Sequence, residues 1–275
     1  TMRQLKTKIS KKLKEKKTTI AVIKLKGVIG KVGFNQGLTL DSLKHIEQIN
    51  KIKKLSAIIV IINSPGGSPV QSDLIAKKIT NIAQDKKVPI YSFCEDVAAS
   101  GGYWLACMGQ EIYALESSII GSIGVISQGF GFTEAIKKLG IERRVHTQGE
   151  NKSVMDPFSQ EKKEDIALIK NIQKDIHESF INHVKNNRGK KLQQSEKLFT
   201  GKFWSGKQAL KLGLIDQIGF YEDIMKKKYG KKINFKLIEA KQGFLQRKFA
   251  NSFSNILQNF LGNFREILHE EKYKL

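Results

Sequence analysis

Apolar positions along this chain follow two alternating rhythms, one dense and β-branched, the other spaced at three to four residues. The run TTIAVIKLKGVI (18–29) predicts a first strand. Leu40, Leu43, Ile46 and Ile49 then recur at every third position and predict a helix over 39–53. LSAIIVIIN (55–63) is a continuous apolar run, too short for a typical buried helix and closed by NSPGG. It predicts a strand covered on both faces. The pattern repeats: helix 69–84, strand 88–94, helix 101–109, short strands 111–115 and 123–127, helix 132–139, strand 142–147. A long helix is expected over 160–187, then a helical turn and strand up to Gly219, with a last strand at 233–240.

Strands alternating with helices imply a parallel sheet and hence an α/β fold. The chain divides into a basic arm (1–17), a main domain (18–240) and a helical tail (241–275). In the tail, Phe249, Phe253, Ile256, Phe260 and Phe264 share one helical face. Two uses stay open for that face: packing on its own domain or a sister subunit, or lying on a membrane surface.

Composition sharpens the picture in three places. With 40% hydrophobic residues, the 275-residue chain can bury a sizeable core, which excludes global disorder. A net charge of +22 favours anionic surfaces non-specifically, although no nucleic-acid motif accompanies it and AT-rich coding yields the same lysine bias. Cys94 and Cys107 are too few for a disulfide framework and are expected as reduced, buried thiols in a cytoplasmic protein. No apolar stretch is long enough to span a bilayer, and no signal-peptide h-region follows the basic start.

Two small-residue turns could carry chemistry. In Asn63-Ser64-Pro65-Gly66-Gly67-Ser68-Pro69, a buried strand passes into a helix. Ser68 is expected as N-cap, Pro69 at the first helical position, and Gln71 as the partner completing a capping box. The Gly66-Gly67 backbone can turn its N–H groups outward toward an oxyanion. In Ala98-Ala99-Ser100-Gly101-Gly102, small neighbours expose a serine at a strand-to-helix junction, as a nucleophile requires. Taken singly, each turn reads equally as a glycine turn or a serine cap.

A nucleophilic serine needs a base. None of His45, His146, His177, His183 and His269 stands in an acid–histidine arrangement. The other option is a lysine kept neutral by burial. Lys152 differs from the clustered lysines in lying within the loop Gly149-Glu150-Asn151-Lys152 ahead of Asp156-Pro157-Phe158.

Taken together and in order, NSPGG (63–67), AASGGYW (98–104), GSIGVI (121–126) and the GENK…DPF loop resemble the signal peptide peptidase A family of Ser–Lys serine proteases. The likeness is closest to its short bacterial members and to SohB-type proteases. The resemblance implies a fold of the ClpP/crotonase type with repeated ββα units. It implies Ser100 as nucleophile, Lys152 as general base, Gly67 with Gly66 as oxyanion hole, and Ser122 as the residue orienting the lysine. It further implies peptide substrates, a homo-oligomer that completes an open groove, and ATP-independent hydrolysis without metal or cofactor. The family's usual N-terminal membrane anchor has no counterpart here. The expected location is therefore cytoplasmic, at the inner face of the bacterial membrane, with the basic arm and the tail as peripheral contacts. Two other readings remain: a crotonase-like acyl-CoA enzyme, and a non-catalytic basic scaffold for membrane or nucleic acid.

Overall fold

The computed structural model describes residues 18–32, 35–194 and 196–240. The arm before Thr18 and the amphipathic tail after Ala240 lie outside the described residues.

At the centre is a parallel sheet in the order β10-β1-β4-β5-β6-β9. Its strands are β1 (Thr18–Lys26), β4 (Leu55–Ser64), β5 (Ile90–Ala99), β6 (Glu111–Ala114), β9 (Gln217–Ile218) and β10 (Ile233–Leu237). Every second residue of β4 serves a different core, as the two-residue repeat of a strand demands. Ile58, Val60 and Ile62 join one apolar cluster, and Ala57, Ile59 and Ile61 join the other. This is why 55–63 shows no polar alternation.

One face is covered by helices α1 (Pro69–Lys86) and α2 (Gly101–Ala106) and by the C-terminal half of α4 (Lys163–Arg188), which contributes Phe180 and Val184. The opposite face is closed by α6 (Tyr221–Tyr229) through Ile224 and Met225. Small elements complete the fold: a hairpin of β2 (Lys31–Val32) and β3 (Asn35–Gln36), α3 (Thr133–Lys138), and α5 (Gly206–Lys211).

Several local expectations change. The helix expected over 39–53 is a 3-10 helix at Lys44–Lys51. Its apolar residues stand strictly three apart, the repeat of a 3-10 helix, and Leu43, Ile46 and Ile49 are all buried. The strand expected at 123–127 lies earlier, as β7 (Ile119–Gly121), because Ser122 turns into left-handed backbone at φ 53°. Residues 142–147 form no strand; they are exposed, with Arg143 bonded to Asp156 at 2.9 Å.

β5 does two jobs. Tyr91–Cys94 pair with β6, whereas Val97–Ala99 pair with β7, which in turn pairs antiparallel with β8 (Phe203–Ser205). A register shift between Ile62 and Ser64 marks where the sheet bends. The last residues of β4, β5 and β7 therefore meet at one end of the sheet, and the site is built there.

Candidate active site

Ser100 follows the final residue of β5 and caps α2, with φ 51° and ψ −124°. Such a backbone is strained for a residue with a Cβ and persists only where its surroundings fix it. They do: its N–H donates to the Gly121 carbonyl at 2.8 Å, and its carbonyl accepts from Tyr103 and Trp104 at 2.9 and 3.0 Å. Small neighbours are a steric requirement. A methyl group on Gly66 would lie 2.7 Å from both Ser100 Cβ and Gly101 N, and one on Gly102 would lie 2.4 Å from the Ser64 carbonyl.

The NSPGG turn is stitched to the loop after β1. Ile29 N–H donates to the Gly66 carbonyl and Ser68 N–H to the Ile29 carbonyl, both at 2.8 Å. A side chain at Gly67 would strike that carbonyl at 2.0 Å. Ser68 is the N-cap of α1, accepting from Gln71 N–H at 3.3 Å, with Pro69 following. The capping box is not closed, because Gln71 Oε1 accepts from Leu40 N–H while Ser68 N–H is committed to Ile29.

The two glycines expected to face an oxyanion differ. Gly66 N–H donates to Ser64 Oγ at 3.1 Å, a buried hydroxyl at the end of β4. Gly67 N–H makes no hydrogen bond among the described residues and lies beside Gly101, where an added methyl would be 3.4 Å from it. As the first helical residue of α2, Gly101 has an amide without an intrahelical partner. Two unspent amides thus flank Ser100. Residue-level reading named Gly66 together with Gly67 and missed Gly101. The signal was available, because the residue after the nucleophile in a strand–turn–helix elbow supplies an amide.

Beside Ser100 lies a cavity of about 910 Å³. Trp104, Ile176 and Phe180 give it an apolar wall, and Ser122, His177 and Thr200 add polar groups. Ser122 hangs from the Lys202 carbonyl through its N–H at 2.7 Å, and the Ile123 carbonyl contacts Gly201 N–H at 3.0 Å and His177 Nε2 at 3.2 Å. Farther back, the His183 ring stacks on Trp104 at 4.2 Å between centroids, and burial holds its pKa below the usual histidine value. Neither histidine was singled out as part of the site by sequence reasoning, since both lie in the middle of the long helix α4.

Ser100, Ser122 and Gly67 therefore share one cavity. Lys152 is not among the residues lining it; it occupies an exposed turn, its N–H donating to the Gly149 carbonyl at 3.3 Å. The largely exposed segment around it carries apolar side chains in solvent, with Ile126 78%, Phe130 80% and Leu139 73% exposed.

Comparison with known proteins places this geometry. The model of peptidase family S49 matches residues 82–233. Over 261–271-residue stretches and shorter, several proteases align. Protease 4 of Haemophilus influenzae is 28% identical over 93% of this chain and 41% of its own length. The chloroplastic serine protease SPPA of Arabidopsis thaliana is 30% identical over 73% of this chain and 30% of its own. The Na(+)/H(+) antiporter NhaA of Brucella abortus is 46% identical over 247 residues, 89% of this chain but 34% of the antiporter. The chain thus spans about a third of that relative's length. Among the described residues, no helix is long and apolar enough to cross a membrane.

Proposed function

Because the chain belongs to peptidase family S49 and is a serine peptidase, we propose that it cleaves peptides with Ser100 as nucleophile and Lys152 as general base. The observation that carries this reading is the left-handed Ser100 at the end of β5, set between two unspent amides and facing a cavity. In this mechanism Lys152 Nζ takes the proton from Ser100 Oγ as the oxygen attacks the scissile carbonyl carbon. The N–H groups of Gly67 and Gly101 hold the resulting oxyanion. Collapse of the tetrahedral intermediate breaks the C–N bond, and the leaving amine takes the proton back from Lys152. Water then attacks the acyl ester with Lys152 again as base, freeing the acid and regenerating Ser100.

Lys152 reaches Ser100 across a subunit boundary in this proposal. Its exposed turn, and the exposed Ile126, Phe130 and Leu139 nearby, suit a segment that a neighbouring copy covers in a homo-oligomer. Ser122, which lines the cavity with Ser100, then orients the incoming neutral ε-amino group. The apolar wall of Trp104, Ile176 and Phe180 suits unfolded or membrane-derived peptides with apolar residues near the cut.

The test is hydrolysis of a fluorogenic apolar peptide by wild type, Ser100→Ala and Lys152→Ala, without ATP or metal. Cleavage by wild type alone is the expected result. Undiminished cleavage by Lys152→Ala removes the dyad, and undiminished cleavage by Ser100→Ala removes the site.

A further inference from the structure

The parallel sheet has a second end, opposite Ser100, where β10, β1 and β4 begin nearly level and β5 begins three residues further in. Thr18 pairs with Ile233, Thr19 with Leu55, and Ile58 with Ile90. Lysines precede these starts: Lys53 and Lys54 directly before β4, Lys86 and Lys87 at the end of α1 ahead of β5, and Lys231 two residues before β10. Neighbouring strands are about 4.8 Å apart, so these lysines gather along one edge of the sheet. Helix α6 ends at the same edge and brings Lys227.

Part of this group has a local explanation. Lys86 Nζ donates to the carbonyls of Asn50 and Ile52 at the end of the 3-10 helix, where the dipole favours a cation. Lys53, Lys54, Lys87, Lys227 and Lys231 are different: they are exposed and have no acidic partner among the described residues. A lysine-rich composition alone does not account for the concentration, since residues 125–165 carry seven basic and seven acidic side chains.

The chemistry of the edge separates two kinds of anionic partner. Nucleic acid is gripped by arginine forks and stacked aromatic rings, and the group holds no arginine. Beside Lys87 the edge opens into a depression of about 620 Å³ lined by Val88, Pro89 and Met108. Ammonium groups next to apolar ground match the boundary between lipid headgroups and acyl chains. Thr18 starts β1 on this edge, so the eight basic residues that precede it in sequence join the domain there.

We propose that this strand-start edge docks the protein on an anionic lipid surface through Lys53, Lys54, Lys87 and Lys231. Ser100 sits beyond the far end of β5, about 30 Å away at strand rise, so docking leaves the catalytic cavity open. The proposal is independent of the Ser–Lys mechanism.

The experiment is co-sedimentation of the full chain, at low salt, with phosphatidylcholine vesicles containing or lacking phosphatidylglycerol. Wild type is expected on the anionic vesicles only. Each lysine at an anionic surface is worth about fivefold in binding, so Lys→Gln at positions 53, 54, 87 and 231 together weakens binding by about 600-fold. Peptide hydrolysis by that variant stays at the wild-type rate, which also reports an intact fold. If hydrolysis falls, the pair Lys53→Gln and Lys54→Gln is read instead, at about 25-fold. Lys→Gln at Lys24, Lys26, Lys207 and Lys236 is the control of equal charge and binds vesicles as wild type does. Unchanged vesicle binding by the edge variant overturns the proposal, as does equal weakening by the control. Equal binding of wild type to neutral vesicles overturns it too. Loss of duplex DNA binding, with anionic-vesicle binding intact, assigns the edge to nucleic acid instead.

Discussion

Ser100 donates its backbone N–H to the Gly121 carbonyl at 2.8 Å, so the proposed nucleophile hangs from the peptide unit that leads into Ser122. Both serines are left-handed, at φ 51° and 53°. Each such non-glycine residue costs about 1–3 kcal/mol and needs support from its surroundings. The supports adjoin: β7 holds Ser100, and the Lys202 carbonyl ahead of β8 holds Ser122.

If Lys152 arrives from a neighbouring copy, two inactive variants repair each other. Ser100→Ala and Lys152→Ala are each expected to lose about 10⁴-fold or more in kcat/KM. Dissociated and reassembled together, they regain part of the wild-type rate, since a Lys152→Ala subunit still supplies Ser100. A mixture as inactive as its components places both residues in one subunit.

Gly66→Ala is expected to abolish turnover and to destabilise the fold. The new methyl meets Ser100 Cβ and Gly101 N at 2.7 Å, and the backbone there has φ 104°. Strain of this kind costs about 1–3 kcal/mol, read as a lower urea midpoint. Wild-type activity in Gly66→Ala would mean that the turn does not abut the proposed nucleophile.

Ser64→Ala leaves the Gly66 N–H buried without its acceptor. The expected loss is about 1–3 kcal/mol of stability. Because the freed amide loosens the turn that presents Gly67, kcat should fall more than KM changes. Kinetics identical to wild type would make Ser64 a packing residue only.

Arg188 is buried at the end of α4, donating to the Gly213 carbonyl and, at 2.7 Å, to Asp216. Burial alone would raise the Asp216 pKa, but hydrogen bonds from Arg188, Lys191 and the Ile112 amide outweigh it and hold the carboxyl below its ordinary value. A depressed carboxylate stabilises the fold above its unfolded pKa, and that stability is lost as pH falls through the folded value. Relative to Asp216→Asn, wild type should therefore be more stable at neutral pH. The gap should close below about pH 4. A gap independent of pH would rule out the ion pair as its source. Arg188→Ala removes one of three hydrogen-bond donors to the half-buried Asp216 carboxylate and leaves the Gly213 carbonyl without its donor, and should cost about 1–3 kcal/mol.

Local chemistry was readable from residue types. The continuous apolar run of β4 could only be a strand buried on both faces, and Ser68-Pro69 could only open a helix. Where reading failed, a distant partner had decided. Leu40 N–H took the Gln71 side chain that the capping box needed. Ser64 took the Gly66 amide, leaving Gly67 and Gly101 to face the cavity. Ser122 ended the strand at Gly121, whereas apolar pattern alone places one at 123–127.

By itself, then, the sequence determined the α/β class, the turns at Ser64–Ser68 and Ala99–Gly102, and the presence of a serine at a strand end, because each follows from short-range sterics and periodicity. Tertiary structure decided which amides stay unspent, which walls line the cavity, and that Ser100 and Ser122 meet while Lys152 stands apart. Those outcomes depend on hydrogen bonds between residues far apart in the chain, and a carbonyl or hydroxyl already committed to one partner is withdrawn from every other.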